Sequence, residues 1–165
     1  METDRLFLRE LTKNDISYLI DFFDDIEATK YLQGTKTLDE IKDWLSLVFH
    51  SYEQNGFGPL AIISKNENQF LGYCGLYLQN DVDGSDEIEI LYGLINRYWG
   101  NGYAAEAAKK IHTFGKTELG IHRFISLIDP DNIRSSKVAL KIGMTFEKEC
   151  IIWNKNHHVY TIESI

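Results

Sequence analysis

Residues 87–110 read EIEILYGLINRYWGNGYAAEAAKK, and two glycines in this stretch stand where chemistry with an anion is feasible. Gly100 and Gly102 let the backbone take positive φ and approach a ligand closely. They also precede an alanine-rich run, and the unpaired amides and dipole at a helix start favour a phosphate or pyrophosphate. Three readings compete for this turn. A lone GxG is common wherever a strand meets a helix and needs no ligand. Gly100, Gly102 and Ala105 also satisfy the GxGxxA of a dinucleotide-binding turn, with Asp129 where a ribose-binding acid would sit. Against that second reading, residues 96–99 separate the strand from the first glycine, and too few residues follow Asp129 for further parallel units. The third reading rests on a family resemblance, reached below.

The elements that must position this turn are legible from periodicity. Leu6 and Leu8 alternate as a first strand; Thr12 with Asp15 resembles a capping box before Ile16, Leu19, Ile20 and Phe23 at helical spacing. Thr37 with Glu40 repeats the signal before Ile41, Trp44, Leu45, Val48 and Tyr52. Period-two stretches at 59–64, 70–79 and 86–95, separated by KNENQ and by a NDVDGSD loop, predict an antiparallel meander. A helix follows over 103–119, capped at Gly120. A strand over 124–128, a break at Pro130 and a short helix over 133–142 capped by Gly143 suggest a parallel crossover. A terminal hairpin of 146–153 and 157–164 closes the chain around Asn154, Lys155 and Asn156. The sum is an α/β (α+β) class: a mixed, mostly antiparallel sheet of about seven strands, with a central parallel crossover and about four helices.

At 165 residues, 44% hydrophobic, the chain has the length for one domain spanning 1–165 with a sizeable core. Its 17 Lys plus Arg against 25 Asp plus Glu give a net charge of -8, which argues against a sequence-independent grip on nucleic acid. Such a balance suits a cationic or amine-bearing partner, and serves solubility equally. No apolar run approaches the roughly 20 residues a membrane span needs, and the charged, alternating start is unlike a signal peptide, so a cytoplasmic protein without membrane association is expected. Cys74 and Cys150 lie far apart in apolar strands and read as buried thiols. The histidines show no metal spacing, so no metal is expected; His50 is kept as a candidate for substrate contact.

RYWGNGYA at 97–104 matches the Arg/Gln-x-x-Gly-x-Gly/Ala signature of the GNAT superfamily of acyl-CoA-dependent N-acyltransferases, which the chain therefore resembles. EIEILYGLI before it is similar to the family's fourth strand. In DPDNIRSSKVALKIGM, residues 129–144, Asn132, Ser135, Gly143 and Met144 fall on the family's downstream pattern, and FEKECIIWNKNHHVYTI resembles its closing hairpin. The likeness covers nearly the whole chain and is nearest to the branch of ribosomal-protein N-terminal acetyltransferases.

The resemblance implies acetyl-CoA as cosubstrate and direct transfer of its acetyl group to an amine, either a protein N-terminus or a small molecule. By the same resemblance the turn of Trp99, Gly100, Asn101, Gly102, Tyr103 and Ala104 would hold the pyrophosphate. Leu94 and Ile95 would give main-chain contacts to the pantetheine arm and an amide to the oxyanion, and Asn132, Ser135 and Lys137 would line the same molecule. Asn132 is also a good helix cap in its own right. Glu89 takes the family's acidic position as general base or amine anchor, with Glu87 read as facing the other way. Many relatives carry a tyrosine acid seven residues beyond the asparagine; here that residue is Ala139, which leaves Ser135, another side chain or water to assist the thiolate. Specificity is expected from 23–44, the 80–86 loop and the last hairpin, with Tyr31, Trp44, Tyr77 and Glu89 as an aromatic and acidic pocket that core packing would explain equally. A homodimer through the terminal strands is also expected. A non-catalytic acyl-CoA-binding module and, more remotely, a dinucleotide-dependent oxidoreductase are the alternatives.

Overall fold

The computed structural model of the chain describes residues 1–163; Ser164, expected to end the last strand, lies outside the described residues. Five α-helices and seven strands run in the order β1 (Leu6–Glu10), α1 (Ile16–Asp24), α2 (Ile26–Thr29), α3 (Leu38–Asn55), β2 (Pro59–Ser64), β3 (Phe70–Val82), β4 (Ser85–Leu94), α4 (Tyr103–Thr117), β5 (Arg123–Ile128), α5 (Ile133–Lys141), β6 (Thr145–Ile152) and β7 (Lys155–Glu163). The strands make one sheet in the order β1-β2-β3-β4-β5-β7-β6. Every neighbouring pair is antiparallel except β4 with β5, the two strands joined through α4. That arrangement is the mixed, mostly antiparallel sheet with a central parallel crossover expected from the sequence, and it excludes the doubly wound sheet of a dinucleotide-binding domain.

Apolar side chains divide between the two faces of the sheet. Leu19, Phe22, Phe23, Ile41, Leu45 and Val48 of α1 and α3 pack with Ala61, Ile63 and Tyr73. On the opposite face Ala107, Ala108 and Ile111 of α4 and Ala139 of α5 pack with Leu6, Ile62, Leu76, Ile90 and Phe124. Alanines and Gly115 let α4 settle close to the strands: a Cβ on Gly115 would stand 2.6 Å from Phe124 Cε1 and 3.1 Å from Leu76 Cδ1.

Three expectations need correction. The first two strands are joined by three helices rather than two, because Asp25 caps an extra turn by accepting from the amides of Glu27 and Ala28, each at 3.1 Å. The segment expected as a loop at 80–86 is mostly strand. Asp83 (φ 53°) and Gly84 (φ 87°) form a tight two-residue turn, preceded by an irregularity between Gln79 and Val82. The closing hairpin turns at Trp153 and Asn154, both at positive φ, so Lys155 and Asn156 already belong to β7. Among the described residues no helix is long and apolar enough to cross a membrane.

Candidate active site

The glycine turn forms at the exit from β4 as its residue types suggest. Gly100 (φ 80°) and Gly102 (φ 81°) both take left-handed backbone, and Gly102 caps α4 with no side-chain hydrogen bond to the first turn. The first hydrogen bond into the helix comes from the Glu106 amide to the Gly102 carbonyl at 3.1 Å. The amides of Tyr103, Ala104 and Ala105 therefore precede the intrahelical ladder and project from the positive end of the dipole. Asn101 and Trp99 brace the turn from inside. Asn101 Nδ2 donates to the carbonyls of Tyr98 (3.1 Å) and Trp99 (3.2 Å), and the Trp99 indole donates to Leu94 O at 2.8 Å.

Sequence reasoning missed the cations around this turn. The Arg5 Nη1 donates to Asn101 O at 2.9 Å while its Nε donates to Glu106 Oε2 at 2.7 Å, and the guanidinium lies 4.6 Å from the Tyr103 ring centroid. A Cβ on Gly102 would stand 3.6 Å from Arg5 Nη2 and 3.9 Å from Lys141 Nζ, and the Arg134 guanidinium lies over Trp99 at 4.4 Å. Three cations thus edge an amide-lined turn. Two come from α5 and one from the segment just before β1, so no local spacing could have shown them. Lys137 is exposed on α5.

Between β4 and β5 the ladder holds a single register pair, Glu89 with Ile125. Side chains occupy what would be the next main-chain bonds: Ser126 Oγ donates to Ile90 O at 2.7 Å, and the Leu127 amide donates to Glu89 Oε1 at 3.2 Å. The Ile95 amide donates to Leu71 O at 3.0 Å, which fixes the odd-numbered residues of β4 as the ones bonded to β3. Even-numbered Tyr92 and Leu94 therefore turn their backbone toward the gap. This corrects the expectation for Ile95: its amide is spent on Leu71 and its carbonyl accepts from Tyr98. The Leu94 carbonyl is likewise taken by Trp99. Tyr92 joins Leu94 as a gap-facing residue that the sequence did not single out.

A cleft of about 1180 Å³ passes this gap and is lined from both faces of the sheet. Glu89 lies in it at 8% exposure, accepting from Gln79 Nε2 at 2.6 Å as well as from Leu127. Burial pushes its carboxyl above the ordinary value, and these two hydrogen bonds offset part of the rise. Glu87 shares the face of Glu89, as period two requires, so the opposite-face placement is wrong; it meets Arg123 at 3.1 Å. Tyr31, Trp44 and Tyr77 line the same cleft as Glu89. Trp44 packs edge-on to Phe23 with centroids 5.4 Å apart and lies 5.3 Å from Tyr73.

Asn132 and Ser135 reach this cleft from α5. Asn132 Oδ1 accepts from the Ser135 amide at 3.1 Å and caps α5, while Ser135 O accepts from the Tyr92 hydroxyl at 2.8 Å. Trp153, Lys155 and His157 border it from the last hairpin, whereas His50 is exposed on α3 and lies outside it. Cys74 and Cys150 are both buried and unbridged, with their thiols pushed up by burial. Among the described residues no three His, Cys, Asp or Glu side chains gather as a metal site would require.

The arrangement joins an anion-binding helix start, a broken strand pair and a buried carboxylate. Comparison with known proteins agrees with it. Residues 5–145 match the acetyltransferase (GNAT) domain. The Bacillus subtilis protein YkkB is 34% identical over 98% of this chain and 94% of its own length. The N-acetyltransferase p20 of Bacillus licheniformis is 30% identical over 91% of this chain and 83% of its own. An acetyltransferase of the GNAT family from Bacillus anthracis shares the fold, with a TM-score of 0.82, 24% identity and coverage of 99% of this chain and 97% of its own.

Proposed function

The chain belongs to the GNAT acetyltransferases, and we propose on that premise that it carries the acetyl group of acetyl-CoA directly to a primary amine seated beside Glu89. It is an acetyl-CoA-dependent N-acyltransferase by family; the acceptor and the residue roles are our reading. The observation that carries them is the buried Glu89 at the point where the β4 to β5 ladder gives way to side chains.

In this reading the pyrophosphate rests on the amides of residues 102–104, with Arg5, Arg134 and Lys141 answering its charge. The pantetheine arm enters the gap and meets the backbone of Tyr92 and Leu94, with Asn132 and Ser135 along its other side. The cosubstrate then approaches from the α4 and α5 face, and the amine from the face of Phe23, Trp44 and Tyr77. Glu89, its carboxyl pushed up by burial, accepts the proton that the amine must lose. An amide facing the gap stabilises the tetrahedral oxyanion. The acceptor is a protein N-terminus or a small-molecule amine, whose ammonium the aromatic walls and Glu89 suit.

Free CoA released from acetyl-CoA against a panel of polyamines, amino acids and short peptides with free N-termini tests this. We expect release that depends on the amine, with the acetyl group recovered on it. Release without any acceptor, or none with any amine, contradicts it. Exposed Phe146 (51%) and Ile151 (79%) on edge strand β6, with Trp153 (55%) at its turn, support a homodimer along that edge. Sedimentation should give a dimer mass, and Ile151→Lys a monomer.

A further inference from the structure

The cleft's two faces differ in what they offer the reacting atoms. Glu89 stands on the face covered by α1 to α3, where the amine is placed. Tyr92, three residues along β4, points to the other face, among the core residues of α4 and α5. Tyr92 lines the cleft with Asn132 and Ser135, and its hydroxyl stands 2.8 Å from the Ser135 carbonyl oxygen. The acyl carbon must lie in the gap between these faces, so its sulfur lies on the side from which the cosubstrate enters. That is the side of Tyr92.

Resting on the acetyl-transfer reading, we propose that the Tyr92 hydroxyl stabilises the departing CoA thiolate by donating a hydrogen bond to its sulfur. The hydroxyl has one proton, which in the free protein is given to Ser135 O. Rotation about the phenolic C–O bond redirects it into the gap at little cost, because the same oxygen stays in place. The nitrogen lone pair forms the N–C bond while the carbonyl electrons move to oxygen; their return breaks the C–S bond and sends that electron pair to sulfur. Glu89 takes the nitrogen proton. Tyr92 keeps its own, since burial pushes its phenol far above the range of a thiol. Sulfur leaves as a thiolate and is protonated by solvent on release, while Glu89 returns its proton to water.

This separates a donor that holds its proton from an acid that gives it up. Ser135, the sequence candidate for that place, lines the same cleft, and its carbonyl holds the Tyr92 hydroxyl there.

The bound thiol reports the effect without turnover. Titrating the ultraviolet absorbance of thiolate in the complex with CoA reads the pKa of the bound sulfur. In the unmodified protein it should fall below the value of about 8.5 typical of a free thiol. In Tyr92→Phe it should move back up by about one unit, the tenfold change expected for loss of one donor. The variant should still gain melting temperature with CoA, and its kcat should fall about 10- to 100-fold at unchanged KM for acetyl-CoA, somewhat less than loss of an oxyanion donor costs. An unshifted thiol in the unmodified protein, a measurement needing no variant, overturns the inference. So does an equal shift in both proteins, and in both cases acetyl transfer still stands. Failure of the unmodified protein to bind CoA overturns both.

Discussion

Glu89 owes both its strength as a base and its effect on stability to burial, which two hydrogen bonds partly offset. A carboxyl at 8% exposure whose partners among the described residues are a side-chain amide and a main-chain N–H, and not a cation, titrates above the ordinary 4.5. Glu89→Gln should therefore lower kcat about 100-fold or more, the usual contribution of a positioned base, with CoA binding unchanged. The acid limb of the rate profile should vanish with it. Stability carries the opposite sign. The folded chain holds this proton more tightly than the unfolded chain, so its contribution is full below the unfolded value and is lost as pH rises through the raised folded one. Melting curves of the variant should accordingly gain on the unmodified protein as pH rises above the ordinary carboxyl value of about 4.5. Family likeness made Glu89 legible in the sequence. Gln79 and Leu127 were not, because only the register of β3, β4 and β5 brings them to its two oxygens.

At the scale of elements, the start of α4 and the start of α5 carry the binding argument. Gly102→Ala places a side chain at φ 81°, a left-handed conformation that costs about 1–2 kcal/mol, beside Arg5 and Lys141. We expect a lower melting temperature and an acetyl-CoA Kd raised at least severalfold, both readable in one titration calorimetry and thermal series. Asn132→Ala removes the cap on α5, a loss of about 1 kcal/mol in stability, and should raise KM for acetyl-CoA besides. The glycine turn, both capping boxes and the long α4 were plain in the sequence because each is local: a residue type, a spacing, a period. The hairpin turns were misjudged for the converse reason. Asp-Gly at 83–84 was absorbed into a polar stretch, and Trp153 is a poor advertisement for the positive φ it adopts. The direction of the Ile95 amide was not legible either, since which edge of a strand an amide faces depends on pairing, here with Leu71 O.

Across the whole molecule, a net charge of -8 conceals a local reversal, with Arg5, Arg134 and Lys141 around the turn we propose for the pyrophosphate. Acetyl-CoA affinity should fall as salt rises from about 0.01 to 0.5 M, because the screening length shrinks from about 30 Å to a few ångström. Arg134→Ala should flatten that dependence. The meander, the parallel crossover and the closing hairpin followed from the alternation of strands and helices, but the place of β7 between β5 and β6 and the break in the sheet did not. Ser126 and Glu89 substitute for ladder bonds only because β5 meets β4 through a single register pair. The measurement that bears most directly on the account is thermal stabilisation by acetyl-CoA, CoA and NAD, compared side by side. At 100 times its dissociation constant a ligand adds about 2.7 kcal/mol to the folded state. We predict that shift for acetyl-CoA and CoA and none for NAD. No response to either CoA compound, or a response to NAD in their place, would contradict the account.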